Sequence, residues 1–461
     1  MHKIKFFSKS AVDFWLNMLI CALLISLLVQ CSLFLADFVE QGKADGEIPF
    51  EMQMLSTSTQ NSRLNIDDAM FHPALIAIRA DGTTSAVVNS TAVVNEVYAD
   101  VNSCLFHALQ NEPVRISDRK WADAAQMDDY VYVRYFGEFP HQVVFAFAAA
   151  QVESEMQIRQ AETYVGIREA LLVPDDSGKI AYLYVRGGNG AYVFAADRSS
   201  DINTFSDYAV TYPDVFYAAE MRIDGNDTEF FVTEKILARD IYVSEIGVSA
   251  LLSNRTHLDS LLRLLNYNPD KLRYHTESDG TVVYVESHGV LRMDSKSVNY
   301  SAAEQGGISL SRIVGKEASG DIYSYLRAAS YIVWRMADMD PLYTGGDAEL
   351  VLRSVSSDDA GAITLQFSFT SDNMEIYKKG GDAGLTITFR GDKITQIVHH
   401  MTIVRRGSDE RKLMLQAWYK EQLAPGLHTA MRPVYRMEEG TISISAEWIA
   451  ELLPQKEGGG R

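Results

Sequence analysis

Cysteine is nearly absent: three residues in 461, too few for a disulfide scaffold. Basic residues are also in deficit, 42 Lys+Arg against 61 Asp+Glu, a formal net charge of −19. Nucleic acid is gripped by clustered Lys and Arg, so this balance argues against it as a partner. The catalytic signatures are missing too. There is no HExxH, and the nearest approach to a nucleophile elbow, Gly247-Val248-Ser249-Ala250-Leu251, lacks its second glycine. The turn Gly187-Gly188-Asn189-Gly190 has neither phosphate-loop spacing nor a following helix, and reads as a hairpin loop.

The ten histidines give no metal spacing. His399 and His400 are adjacent on an expected strand, so their side chains point to opposite faces. His72, His107, His141, His257, His275, His288 and His428 are scattered. The acidic turn at Asp224-Gly225-Asn226-Asp227-Thr228-Glu229 lacks the alternating ligand run of a Ca²⁺ loop. No catalytic residue, cofactor site or metal site is therefore assigned.

One long hydrophobic run is present. Phe14 to Ala36 carries no formal charge and as a helix rises about 34 Å, enough to cross a hydrocarbon core of about 30 Å. Lys3, Lys5 and Lys9 precede it and Asp37 and Glu40 follow, which puts residues 1–13 in the cytoplasm and the rest outside the cell. The run is longer than a signal-peptide core, and Phe34-Leu35-Ala36 makes a poor cleavage site. The expectation is an uncleaved single-pass anchor. Ala22, Ser26 and Gln30 share one face of it, a stripe that lets membrane helices pack closely. Cys21 and Cys31 lie in the anchor, and Cys104 falls on the apolar face of an expected helix as an inert, buried thiol.

Beyond a polar linker at 37–62, the pattern predicts an α+β fold in three exported domains, 63–203, 204–306 and 307–453, with a short tail at 454–461. The first opens with a hairpin turning at Asp81-Gly82, then a helix over 91–110 capped by Ser90 or Thr91. A strand at 129–136, a helix near 151–161 and strands at 180–186 and 191–195 follow. In the second, Thr256 is expected to cap a helix burying Leu258, Leu261, Leu262 and Leu265. Three strands then follow, the last running unbroken through VLRMDSKSVNYSA. The third repeats helix-then-meander order: a helix over 322–337, strands near 348–354, 362–369, 374–377, 384–389 and 394–404, a helix over 409–423, and a hairpin of 431–437 with 441–445.

The segment LLRLLNYNPDKLRYHTESDGTVVYVESHGVLRMDSKSVNYS (Leu261–Ser301), the strand YVYVRYFGEFP (Tyr130–Pro140) and the closing PVYRMEEGTISISAEWIAEL (Pro433–Leu452, with Trp448) carry a resemblance. Together with the N-terminal anchor they resemble the YycH family, membrane-anchored regulators of an essential YycG-type cell-wall sensor histidine kinase in Gram-positive bacteria. The resemblance implies that the second and third domains are alike in topology. It implies a non-catalytic regulator at the cell membrane, partnered by the kinase and a related YycI-type protein, and it supplies no catalytic positions. Asn268-Pro269 stands where the family has an acidic turn. From another class, an envelope-polymer enzyme would need a cleft with converging titratable groups, and an anchored scaffold unrelated to any kinase would need neither.

Overall fold

The computed structural model describes residues 66–452 apart from 67, 152–164, 198–199, 225–226, 246–250, 253, 271–272, 316–317, 319, 340–346, 379–383, 401, 424–428 and 439–442. The expected anchor at 14–36 with Ala22, Ser26 and Gln30, the linker, the tail, and all but the first residue of the helix expected at 151–161 lie outside these residues. Among the described residues no helix is long and apolar enough to cross a membrane. The fold is α+β, built on antiparallel sheets, and the described residues belong to one compact unit.

A nine-stranded antiparallel sheet contains β1 (Leu75–Ala80), β2 (Thr83–Val87), β3 (Val114–Ile116), β4 (Tyr130–Pro140), β5 (Gly166–Pro174), β6 (Ile180–Gly187), β7 (Gly190–Ala195), β8 (Tyr217–Asp224) and β9 (Asp227–Val232). Their order is β3-β7-β6-β5-β4-β1-β2-β8-β9. Strands β8 and β9, from the segment expected to open the second domain, extend this first sheet. The β1–β2 turn is the expected one, with Asp81 and Gly82 both at positive φ (49° and 73°).

Helix α1 (Thr91–Ala108) starts at Ser90, whose hydroxyl accepts from the Val93 amide. Its face of Val94, Val97, Tyr98, Val101 and Cys104 is buried, as the spacing predicts. Burial pushes the Cys104 thiol up to about 11, so it stays protonated and unreactive at neutral pH. Three further helices serve this sheet: α2 (Asp118–Ala124), α3 (His141–Gln151) and α4 (Ile202–Thr211). Helix α3 packs on α1, and Phe147 at its centre stacks on Phe71 with ring centroids 4.3 Å apart.

A twelve-stranded sheet follows. It comprises β11 (Tyr274–Thr276), β12 (Val282–Glu286), β13 (Gly289–Met293), β14 (Ser297–Ala302), β15 (Ile308–Ser309), β16 (Glu349–Ser357), β17 (Ile363–Ser371), β18 (Met374–Lys378), β19 (Leu385–Arg390), β20 (Lys393–His400), β22 (Thr429–Met437) and β24 (Ala446–Leu452). Two meanders meet inside it, β11-β12-β13-β14 and β16-β17-β19-β20, joined where β14 pairs antiparallel with β20. Each meander is preceded by a helix, α5 (Arg255–Leu264) or α7 (Ile322–Met339), with the short α6 (Leu310–Val314) between. A three-stranded sheet, β21 (Thr402–Lys412), β10 (Leu237–Glu245) and β23 (Ser443–Ile444), completes the strand set.

Several local expectations are corrected. The cap of α5 is Asn254, whose side chain accepts from the His257 amide, so the helix begins before Thr256. The run VLRMDSKSVNYSA is a hairpin: the Asp294 carboxylate accepts from the Lys296 and Ser297 amides, both at 2.7 Å, and folds the chain back. Residues 394–404 contribute to two strands in different sheets. The helix expected over 409–423 is strand up to Lys412, held to β10 partly by Arg239 on Glu410 at 3.0 Å, and only Gln416–Glu421 is helical (α8). The last hairpin pairs β22 with β24, while 443–444 turns away to pair with β10.

A buried apolar layer connects the sheets, with Tyr132, Phe230, Met374, Met431, Tyr435 and Trp448 at its centre. Asn373 pins the joint. It sits in a tight β17–β18 turn, with Asp372 and Asn373 at φ of 50° and 62°, and donates to the carbonyls of Ala74 (3.1 Å) and Val88 (3.4 Å) beside the first sheet.

Candidate functional site

Strand β4 is apolar over Tyr130–Val133, then interrupts itself with Arg134. Its pairing with β5 jumps from Arg134↔Glu169 to Phe139↔Ile167, so residues 135–138 bulge from the ladder. The bulge meets β16. Gly137 lies so close to the Arg353 carbonyl oxygen that a Cβ would collide with it, and the Arg353 guanidinium donates to the Phe136 carbonyl. Glycine is required there for close approach of two backbones.

Beside this contact opens a cleft of about 830 Å³. Among the described residues five arginines line it, Arg134 (β4), Arg168 (β5), Arg353 (β16), Arg432 and Arg436 (β22), and the one acidic side chain in its wall is Glu138. Tyr377 and Tyr419 add aromatic surface, and Leu423 and Ile449 add apolar surface. In a chain of net charge −19, this is a local inversion of sign.

The arginines differ in what they hold. Arg168 pairs with Glu138 at 3.4 Å, and Arg436 with Glu447 at 3.2 Å. Arg353 and Arg432 both reach Glu375, which is 5% exposed; the Arg353 distance is 3.5 Å. Arg134 is different. It is 7% exposed, it donates to the Met431 carbonyl at 2.9 Å, and among the described residues no carboxylate comes within 4.0 Å of its guanidinium. Glu169 faces Arg134 across β4–β5 but bonds Arg186 at 2.7 Å instead.

Sequence patterning missed this site, because its residues are spread from 134 to 436 and no local spacing joins them. The single hint was an arginine inside an otherwise apolar strand. His72 and His399 are buried, and loss of hydration lowers each to about 4, so both are neutral at physiological pH. His399 bonds the Gly384 carbonyl at 3.1 Å, while His400 is half-buried on the opposite side of β20. Among the described residues no group of three or more His, Cys, Asp or Glu side chains could hold a metal ion.

No family model and no curated protein matches the chain. Among solved structures it is similar to YycH from Bacillus subtilis, at 10% identity and a TM-score of 0.52, covering 86% of this chain and 96% of that one. An uncharacterized protein from Eubacterium rectale aligns over 52% of this chain and 87% of its own, at 8% identity and a TM-score of 0.30. The first likeness extends along nearly all of the compared chain and is a likeness of fold.

Proposed function

We propose that this chain is a single-pass, membrane-anchored extracytoplasmic regulator that modulates a cell-envelope sensor histidine kinase through protein–protein contacts, without catalysis. The observation that carries the reading is the fold shared with YycH over 96% of that chain, on a sequence whose residues 14–36 form an uncharged run long enough to span a bilayer. In this reading the anchor lies beside the kinase's membrane helices, and the exported body biases which helix arrangement the kinase adopts. Such control requires differential contact with two signalling states, since a partner binding both equally shifts nothing.

The anchor face Ala22, Ser26 and Gln30 is the proposed contact inside the bilayer. Its test replaces all three with Leu in the full-length chain and measures co-purification with the kinase from membranes. Recovery is expected to fall severalfold while membrane insertion is retained. Unchanged recovery overturns the role of that face.

A further inference from the structure

We infer that the arginine-lined cleft between the two large sheets is a binding site for a phosphate ester. The inference rests on the cleft itself and stands whether or not the chain acts on a kinase. A guanidinium is always charged and carries five donors. Burying one that hydrogen-bonds a carbonyl and touches no carboxylate among the described residues, with Glu169 acting on it only through space, is costly unless an anion arrives from outside. Arg134 is in that position, nine-tenths buried in the wall of an open cleft.

Its neighbours define the class of anion. Arg134, Arg353 and Arg432 reach the cleft from three strands belonging to two sheets, so donors converge from different directions. A carboxylate has only two coplanar oxygens, and Glu375 already spends one on Arg353 and the other on Arg432, leaving it none for Arg134. A tetrahedral phosphate presents oxygens in several directions and suits converging guanidiniums better. Tyr377, Tyr419 and Ile449 supply a face for the carbon skeleton of an ester, and the volume exceeds what a bare phosphate fills. At neutral pH a phosphomonoester carries about −1.5 to −2, so binding weakens as pH falls through about 6.

The test is calorimetric titration of the purified full-length chain, in non-ionic detergent, with glycerol 3-phosphate, inorganic phosphate and succinate. Saturable binding of glycerol 3-phosphate is expected with a Kd between about 10 μM and 1 mM. Inorganic phosphate should bind several times more weakly, and succinate more weakly again. Arg134→Met should weaken glycerol 3-phosphate by at least about tenfold, and the exposed-side Arg436→Gln by about two- to threefold. Thermal melting of each variant separates lost binding from lost folding, and Arg436→Gln carries the test if Arg134→Met fails to fold. Succinate binding as tightly as glycerol 3-phosphate overturns the phosphate assignment. No saturable binding by the wild type, or unaltered affinity in a folded Arg134→Met chain, overturns the site.

Discussion

Arg186 and Arg134 sit on either side of Glu169 in neighbouring strands of one sheet, and they meet burial in opposite ways. Arg186 closes a network. Its Nε donates to Glu169 at 2.7 Å, Nη2 donates to the Thr228 carbonyl at 3.2 Å, and its guanidinium lies over the Trp121 ring at 4.9 Å. The Tyr132 hydroxyl donates to the other Glu169 oxygen at 2.7 Å. Burial opposes ionisation of Glu169, but the Arg186 charge and these hydrogen bonds outweigh it and hold the carboxyl below its usual range. Arg134 faces Glu169 across the same ladder and favours its charged form through space, but its hydrogen bond goes to the Met431 carbonyl at the cleft wall. One arginine is matched by the protein, and the other is presented to whatever enters. The contrast shows how a strongly acidic chain can still hold a locally cationic site: sign is decided by side-chain aim over a few ångströms and not by composition.

The largest effect should come from breaking the matched side. Arg186→Met strands a buried carboxylate and should cost about 3–5 kcal/mol of stability, read by urea denaturation. A cost below about 1 kcal/mol would mean that Arg134 swings back to Glu169, and that the two arginines are interchangeable.

Acid should act on the buried histidines before it reaches this network. His72 and His399 sit near 4 in the folded chain against 6.5 unfolded, so the unfolded state binds more protons between those values. Stability should therefore fall as pH drops from about 6.5 to about 4, by up to about 3 kcal/mol for each histidine. Glu169, depressed in the fold, adds a further loss below the unfolded carboxylate value of about 4.3. Melting curves of His399→Gln against wild type isolate one component, and an unchanged pH slope would contradict it.

Gly137→Ala places a methyl group against the Arg353 carbonyl where β4 meets β16, and should destabilise by about 1–3 kcal/mol. If the cleft is built by that approach, the same variant also weakens anion binding. A destabilised variant with intact binding would separate the bulge from the site.

The smallest effect belongs to the presented arginine. Arg134→Met removes a buried charge that has no carboxylate within ion-pair distance, and should change stability by no more than about 1 kcal/mol in phosphate-free buffer. A loss matching that of Arg186→Met would erase the distinction between the two.

Strands and helices with strong local grammar were legible in the sequence. The Asp81-Gly82 hairpin, the Ser90 cap and the Val97–Val101–Cys104 face follow from turn chemistry and period alone. The failures share a cause. At Asp294 a single carboxylate gathering two amides overrode a continuous strand pattern, and at Asp409–Lys412 pairing with β10 overrode charged, helix-compatible residues. Sheet membership was not legible either. Nothing near residue 217 announces that β8 will join β2, or that residues 443–444 will leave their hairpin for β10. The cleft was the least legible of all, because it depends on which of two arginines, on the strands flanking β5, takes Glu169.

The most direct measurement is a crystal structure of the full-length chain grown with glycerol 3-phosphate. The account predicts the phosphate against Arg134, within hydrogen-bond distance of its guanidinium, with Glu169 still held by Arg186. A carboxylate of the chain itself seated on Arg134, with no phosphate in the cleft, would contradict it.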